Sequence, residues 1–179
     1  MRASTRDEEF LTFVREHRTE LVRTAVLLTA GDRDLAEDLV QTTLTQLYVR
    51  WDSFRQARNP GGYARRSLVN ALIDEKRRPW RREQATDELP EDTVLPFDQI
   101  DSSLRTEALY AALAELPPRQ RAVLVLRYFH DLSVEETAET LSCSGGTVKS
   151  QAKRALDKLR ARMTEQLSPS YRGNGAYHA

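Results

Sequence analysis

Apolar positions recur every three to four residues along most of the chain, the period of a helix that buries one face. Phe10, Phe13, Val14, Leu21, Ala25 and Leu28 form one such stripe. They predict a first helix from about Asp7 to Thr29, with Thr5 and Glu8 as a capping box and Gly31 as its end. Asp34, supported by Glu37, is the expected cap of a second helix with Leu35, Leu39, Val40, Leu44, Leu47 and Trp51 inward. A polar loop from Asp52 to Gly62 follows. A third helix then starts near Pro60, a tolerated first-turn position, and runs to about Arg78, where Pro79 stops it. Hairpin turn pairs and sustained period-two alternation are missing, so no strands are expected. The helical pattern dissolves between Trp80 and Ser103, resumes over Leu104–Glu115 and Pro118–His130, and fades after Leu167.

The last helical pair has a distinct spacing. Ser133 and Glu136 form an S-x-x-E capping box opening a short helix, from which Ala138 and Leu141 point inward. Ser142 to Gly146 is rich in Ser and Gly and reads as a turn. From Thr147, the positions Val148, Ala152, Ala155, Leu156, Leu159 and Met163 repeat at three and four, which gives a longer helix with one packing face. Cap, turn and period together predict a helix-turn-helix. Lys149, Ser150, Lys153, Arg154 and Lys158 remain on or near the open side. Such a helix start suits a major groove, because Lys and Arg reach guanine edges or phosphates and backbone amides meet phosphate oxygens. The plainer alternative is a solvated basic face on a packing helix.

Composition changes this picture in one respect. The 27 basic residues balance the 27 acidic ones, so net charge does not predict nucleic-acid binding, but its distribution does. Lys76, Arg77, Arg78, Arg81 and Arg82 cluster mid-chain, and a second basic set lies in the last helix. Between them run Asp87, Glu88, Glu91, Asp92, Asp98 and Asp101, with no compensating base until Arg105. A chain locally basic twice and acidic between is expected to meet DNA and a protein together. The fold class is therefore all-α: two small helical domains, residues 1–80 and 104–167, joined by an acidic flexible linker at 81–103. The second contains the helix-turn-helix, and residues 168–179 are expected to be a disordered tail. Fully extended, about twenty linker residues reach roughly 70 Å, enough for two DNA sites more than one helical turn of about 34 Å apart.

Cys143 is the single cysteine, so no intrachain disulfide can form, and a reducing cytoplasm fits. It reads as a small buried filler, with a redox-sensing thiol as the alternative. No long apolar run and no secretory h-region are present, so membrane insertion is not expected and the site of action is cytoplasmic. His17, His130 and His178 stand far apart, and a phosphate loop, a nucleophile elbow and a second cysteine are missing. Neither an enzyme nor a metal or other cofactor is expected.

Several strings resemble the extracytoplasmic-function group of bacterial RNA polymerase sigma factors, over nearly everything from Asp7 to about Met163. GDRDLAEDLVQTTL looks like the helix such factors dock on the polymerase clamp coiled coil, and NPGGYARRSLVNALIDEKRR like the helix that reads the promoter −10 element. LPPRQRAVLVLRYFHDLS and GTVKSQAKRALDKLR resemble the domain that reads the −35 element. The wording is similar to an actinobacterial, sigma-E-like subgroup.

The resemblance implies core RNA polymerase (clamp coiled coil and flap) and promoter DNA as partners, with an anti-sigma protein as a further one. It also implies roles for particular residues. Glu37, Asp38, Gln41 and Thr42 would face polymerase, unless they are simply a solvated face. Arg55, Gln56 and Asn59 of the loop, with Asn70 and Asp74 one turn apart, would hold bases of the melted −10 strand. Asn70 matches the family's base-contacting asparagine; an interior polar group back-bonded to its own helix is the alternative. Arg65, Arg66, Lys76, Arg77 and Arg78 would neutralise phosphates without reading sequence. Thr147, Lys149, Ser150, Lys153 and Arg154 would lie at the −35 major groove, and the acidic linker would thread toward the active-site cleft. Thr42, Thr43 and Leu44 stand where many relatives have an acidic residue and Phe, and Gln151 replaces a basic residue. Clamp docking and promoter sequence are therefore not carried over in detail. The rival readings are a polymerase-independent helix-turn-helix regulator and a polymerase-binding decoy.

Overall fold

The computed structural model describes residues 2–77 and 104–167, and among these every regular element is a helix. The expected linker, Arg78 and the expected tail lie outside the described residues, as does the side chain of Arg77.

The first half is built on α1 (Arg2–Leu28), α2 (Arg33–Val49), α3 (Trp51–Phe54) and α4 (Pro60–Arg77). Their apolar stripes meet as the spacing requires: Phe13, Leu21, Ala25 and Leu28 of α1 pack against Leu39, Val40, Leu44 and Leu47 of α2 and Ala64, Leu68, Val69 and Leu72 of α4. Three helix boundaries differ from expectation. α1 already includes Thr5 and Glu8, so these sit inside the helix and do not cap it. The cap of α2 is Asp32, not Asp34: its backbone is extended and its carboxylate accepts from the Leu35 amide at 3.0 Å. Asp34 lies in the first turn, where a negative charge still complements the dipole. Trp51 is buried as expected, but it opens the separate turn α3, where its ring and that of Phe54 close against Phe13 at centroid distances of 6.1 and 4.8 Å.

The second half comprises α5 (Leu104–Ala114), α6 (Pro118–Leu124), a π-helical turn (Val125–Phe129), α7 (Val134–Leu141) and α8 (Gly145–Leu167). The Pro118–His130 helix thus widens over its last turn, where the His130 amide bonds to Val125 O, and Tyr128 and Phe129 are left exposed. The capping box is reciprocal: the Glu136 amide donates to Ser133 Oγ at 3.1 Å, and the Ser133 amide donates to the Glu136 carboxylate at 2.8 Å. The Ser133 amide first, and the Ser133 hydroxyl after it, hold the Glu136 carboxyl below the ordinary range. Ser142 ends α7 in the left-handed region at φ 52°. α8 starts at Gly145, two residues before the expected Thr147, because Ser144 Oγ accepts from the Thr147 amide at 3.1 Å and anchors the first turn ahead of it. Val148 and Ala155 are fully buried on the packing face.

The two halves form a continuous apolar core. Val123, Val125 and Leu126 of the second join the cluster of α1, α2 and α4, and α7 lies against α4. No described helix is long and apolar enough to cross a membrane.

Candidate nucleic-acid interface

In α4, Tyr63, Arg66, Asn70 and Asp74 are all exposed, and their spacing of three, four and four places them on one stripe of the helix. Asn70 and Asp74 therefore stand one turn apart on an open face, as expected. Tyr63 was not among the sequence-derived candidates. Its membership of the same stripe was the available signal, and its ring rests edge-on against Phe54 at 5.4 Å, leaving one side to solvent. An aromatic face of this kind is a stacking platform for an unpaired base.

The loop before α4 forms one wall of an open concavity of about 490 Å³ lined by Glu9, Phe13, Trp51, Phe54, Arg55, Gln56 and Pro60. Arg55 and Gln56 are exposed at its rim, and Arg55 lies 3.6 Å from Glu9 and 3.9 Å from Asp52. Asn59 acts within the fold, since its Oδ1 accepts from the Gly62 amide at 2.8 Å and caps α4. A Cβ on Gly62 would lie 2.7 Å from Asn59 Nδ2, so a glycine is what lets the cap close. Arg65 is turned away from the exposed stripe. Its side chain is only 16% exposed, and it reaches Glu20 of α1 at 3.5 Å. Arg66 extends to Ser142 Oγ at 3.5 Å, the outer limit of a hydrogen bond.

The four residues expected to face polymerase divide. Asp38, Gln41 and Thr42 are exposed on the outer side of α2. Glu37 turns toward α1 and accepts from Arg18 at 2.8 Å, which makes it a helix-pairing residue.

In α8, Thr147, Lys149, Ser150, Lys153 and Arg154 are all exposed. Thr147, Ser150 and Arg154 follow one row and Lys149 and Lys153 the adjacent one, so the first three turns present hydroxyls and three cations together. Ser150 Oγ donates to Thr147 O at 3.1 Å, and Thr147 shares a hydroxyl bond of 2.9 Å with Ser144. Lys149 and Lys153 also border a groove of about 390 Å³ shared with Arg127, Tyr128 and Arg160, which extends the positive field to the π-helical turn. Among the described residues no cluster of His, Cys, Asp or Glu could hold a metal ion.

Comparison with known proteins matches two stretches of the chain. Residues 13–82 match the family described as Sigma-70 region 2, and residues 106–159 match Sigma-70, region 4. An RNA polymerase sigma-E factor of Streptomyces avermitilis is 38% identical over 156 residues, covering 85% of this chain and 83% of that protein. The ECF RNA polymerase sigma factor EcfG of Rhodopseudomonas palustris is 31% identical over 140 residues, covering 78% and 77%. Among solved structures, the sigma factor RpoE of Bartonella quintana in complex with the anti-sigma factor NepR is similar with a TM-score of 0.63 and 27% identity, covering 89% of this chain and 97% of that one.

Proposed function

The chain belongs to the extracytoplasmic-function group of sigma-70 RNA polymerase sigma factors, and from that premise we propose which of its surfaces carries each part of the work. It is a transcription initiation factor and not an enzyme: it binds core RNA polymerase, recognises −35 and −10 promoter elements and promotes DNA melting. The region 2 match sets aside a regulator that works without polymerase.

In this proposal the α4 stripe of Tyr63, Arg66, Asn70 and Asp74, with Arg55 and Gln56 at the rim of the adjoining concavity, receives the melted −10 strand. Opening DNA costs a few kcal/mol per unstacked step, and planar and polar groups on an exposed helix recover part of that by holding the freed bases. Asp38, Gln41 and Thr42 meet the polymerase clamp. The first turns of α8 enter the major groove at −35, where each well-placed base contact is worth about 1–3 kcal/mol of discrimination. Region boundaries at 1–80 and 104–167, with 81–103 threading toward the active-site cleft, belong to the same proposal. An anti-sigma partner, of the kind bound to the Bartonella relative, fits a factor whose two DNA faces are both open. The cytoplasm, where polymerase and chromosome are, is its place of action.

The observation that carries the assignment is that each matched region exposes one helix face with the chemistry its DNA form requires: an aromatic and an amide for single strands, cations and hydroxyls for an intact groove. Mixing the full chain with purified core polymerase and mapping transcripts from genomic fragments tests it. Co-elution with core and initiation at defined promoters are expected. A chain that elutes apart from core yet binds duplex tightly on its own would overturn the proposal.

A further inference from the structure

The concavity beside the loop before α4 combines an apolar floor with a single anionic wall. Phe13, Trp51 and Phe54, all buried, supply the floor, and Phe54 also carries Tyr63 edge-on, so a strand stacked on Tyr63 passes the mouth. At about 490 Å³ the space lies within the range of small-molecule clefts, roughly 300–1,000 Å³, and admits one base with its sugar. Its polar groups are few: Glu9 from α1, and Arg55 and Gln56 from the loop.

Glu9 is held in place. Its Oε2 accepts from the Trp51 indole N–H at 3.2 Å and lies 3.6 Å from Arg55 Nη1. Trp51 is itself fixed edge-on between Phe10, at 5.5 Å, and Phe13, at 6.1 Å. The other oxygen, Oε1, has no partner among the described residues, and the side chain is 43% exposed. The concavity is thus lined by an oriented, acceptor-only group with an oxygen to spare. Arg55 is engaged less tightly. Its 3.6 Å to Glu9 and 3.9 Å to Asp52 are ion-pair distances and not hydrogen bonds, so its donors remain open to phosphate.

A carboxylate beside a DNA-binding loop repels phosphate, and a base that donates to it offsets that repulsion. Bases differ in this respect. Cytosine presents an amino group at N4, adenine one at N6, and guanine one at N2 next to N1–H, and each can donate to a carboxylate. Thymine has no amino group. Its one N–H stands between two carbonyl oxygens, which would face the carboxylate unpaired and repelled.

We propose that Glu9 is a specificity-determining residue: it accepts from the amino group of one base extruded from the −10 strand into the concavity, and so excludes thymine at that position. The proposal rests on the reading of α4 and its loop as the −10 surface. Glu9 lies in α1, outside the loop and helix that supply the other −10 contacts, so this position is read from a third element.

The test uses holoenzyme assembled from core polymerase and the full chain, with wild type, Glu9→Gln and Glu9→Ala compared. The probe is a pool of promoter duplexes premelted at −10, their non-template strand randomised there, and the bound fraction is sequenced. Glu9→Gln keeps an acceptor for the Trp51 indole but adds a donor, which a thymine carbonyl can use. Wild type is expected to deplete thymine about tenfold at one position, near the lower end of one good base contact. Glu9→Gln should restore thymine at that position and leave the others unchanged, and Glu9→Ala should level the four bases there. No depletion of thymine at any position, or the same profile in all three proteins, would overturn the proposal and leave Glu9 as a support for Trp51. Weaker binding by the variants with an unchanged profile counts the same way. A chain that forms no complex with core strikes the sigma-factor reading instead, and the same randomised strands offered to the chain alone then judge Glu9.

Discussion

Asn70 is a polar residue in the middle of a helix, exposed, and on the same stripe as Tyr63, Arg66 and Asp74. Its side chain can leave without disturbing the core formed by Leu68, Val69 and Leu72. Asn70→Ala is therefore expected to lower discrimination for the correct −10 base by about 1–3 kcal/mol, on the scale of one good base contact, with core-polymerase affinity near normal. Competition transcription on promoters altered at single −10 positions, alongside core titration, checks it; equal loss of both would remove the role. Ser133→Ala removes the hydroxyl half of the α7 cap and should cost about 1 kcal/mol of stability, read as a lowered thermal midpoint. At this scale the Ser133 cap follows from its S-x-x-E spacing and the open side of α8 from its apolar period, whereas Asn70 is singled out by the family resemblance. Engagement was not legible. Glu37 bonds Arg18 and Arg65 reaches Glu20 across 19 and 45 residues of sequence, and periodicity gives no sign of which neighbour takes up a charge.

The elements were legible where a stripe was long and less so where two caps competed. Asp32 and Asp34 both precede the apolar run of α2, and the choice turned on backbone direction: only Asp32 is extended, so only its carboxylate can face the Leu35 amide. The start of α8 moved for the same kind of reason, with Ser144 anchoring a turn that accepts two glycines despite their propensity cost. The widened turn at Val125–Phe129 had no sequence signal, because its residues keep the apolar period of the helix they end. These shifts leave the α8 face intact. With Lys149, Lys153 and Arg154 all exposed on its first three turns, the helix should neutralise several phosphates at once. Lys149→Ala combined with Arg154→Ala is expected to reduce the slope of log affinity against log salt by about 2 and to erase dependence on the −35 sequence. Salt titrations on promoter duplexes with holoenzyme measure the first, and footprinting measures the second.

At the scale of the whole molecule, the sequence shows two modules but not the contact between them. Nothing in the pattern singles out Arg121, and His130 reads only as one of three distant histidines, whereas Arg121 donates to Leu28 O at 2.8 Å and His130 Nε2 lies 2.9 Å from the Thr24 hydroxyl, both across the junction of the two halves. Their burial gives that junction a pH dependence whose sign can be worked out. Burial, and then the nearby Arg65 cation, push the His130 imidazole down to about 4, while Glu20 pulls the other way and loses. With the halves packed together the ring is thus neutral, its side chain 5% exposed, and with them parted it would take up the proton first. Stability of closure is complete above pH 6.5 and drains as pH falls from there toward 4. If release restored the ordinary value fully, the closing equilibrium would weaken by about twentyfold between pH 7 and pH 5, which makes that figure an upper bound. Scattering across this range should show the chain expanding while its helix content is retained. His130→Gln should abolish the response, since the amide can still bond Thr24 but cannot take a charge. An expansion that persists unchanged in the Gln variant would assign the acid sensitivity to other groups and leave the ring as packing alone.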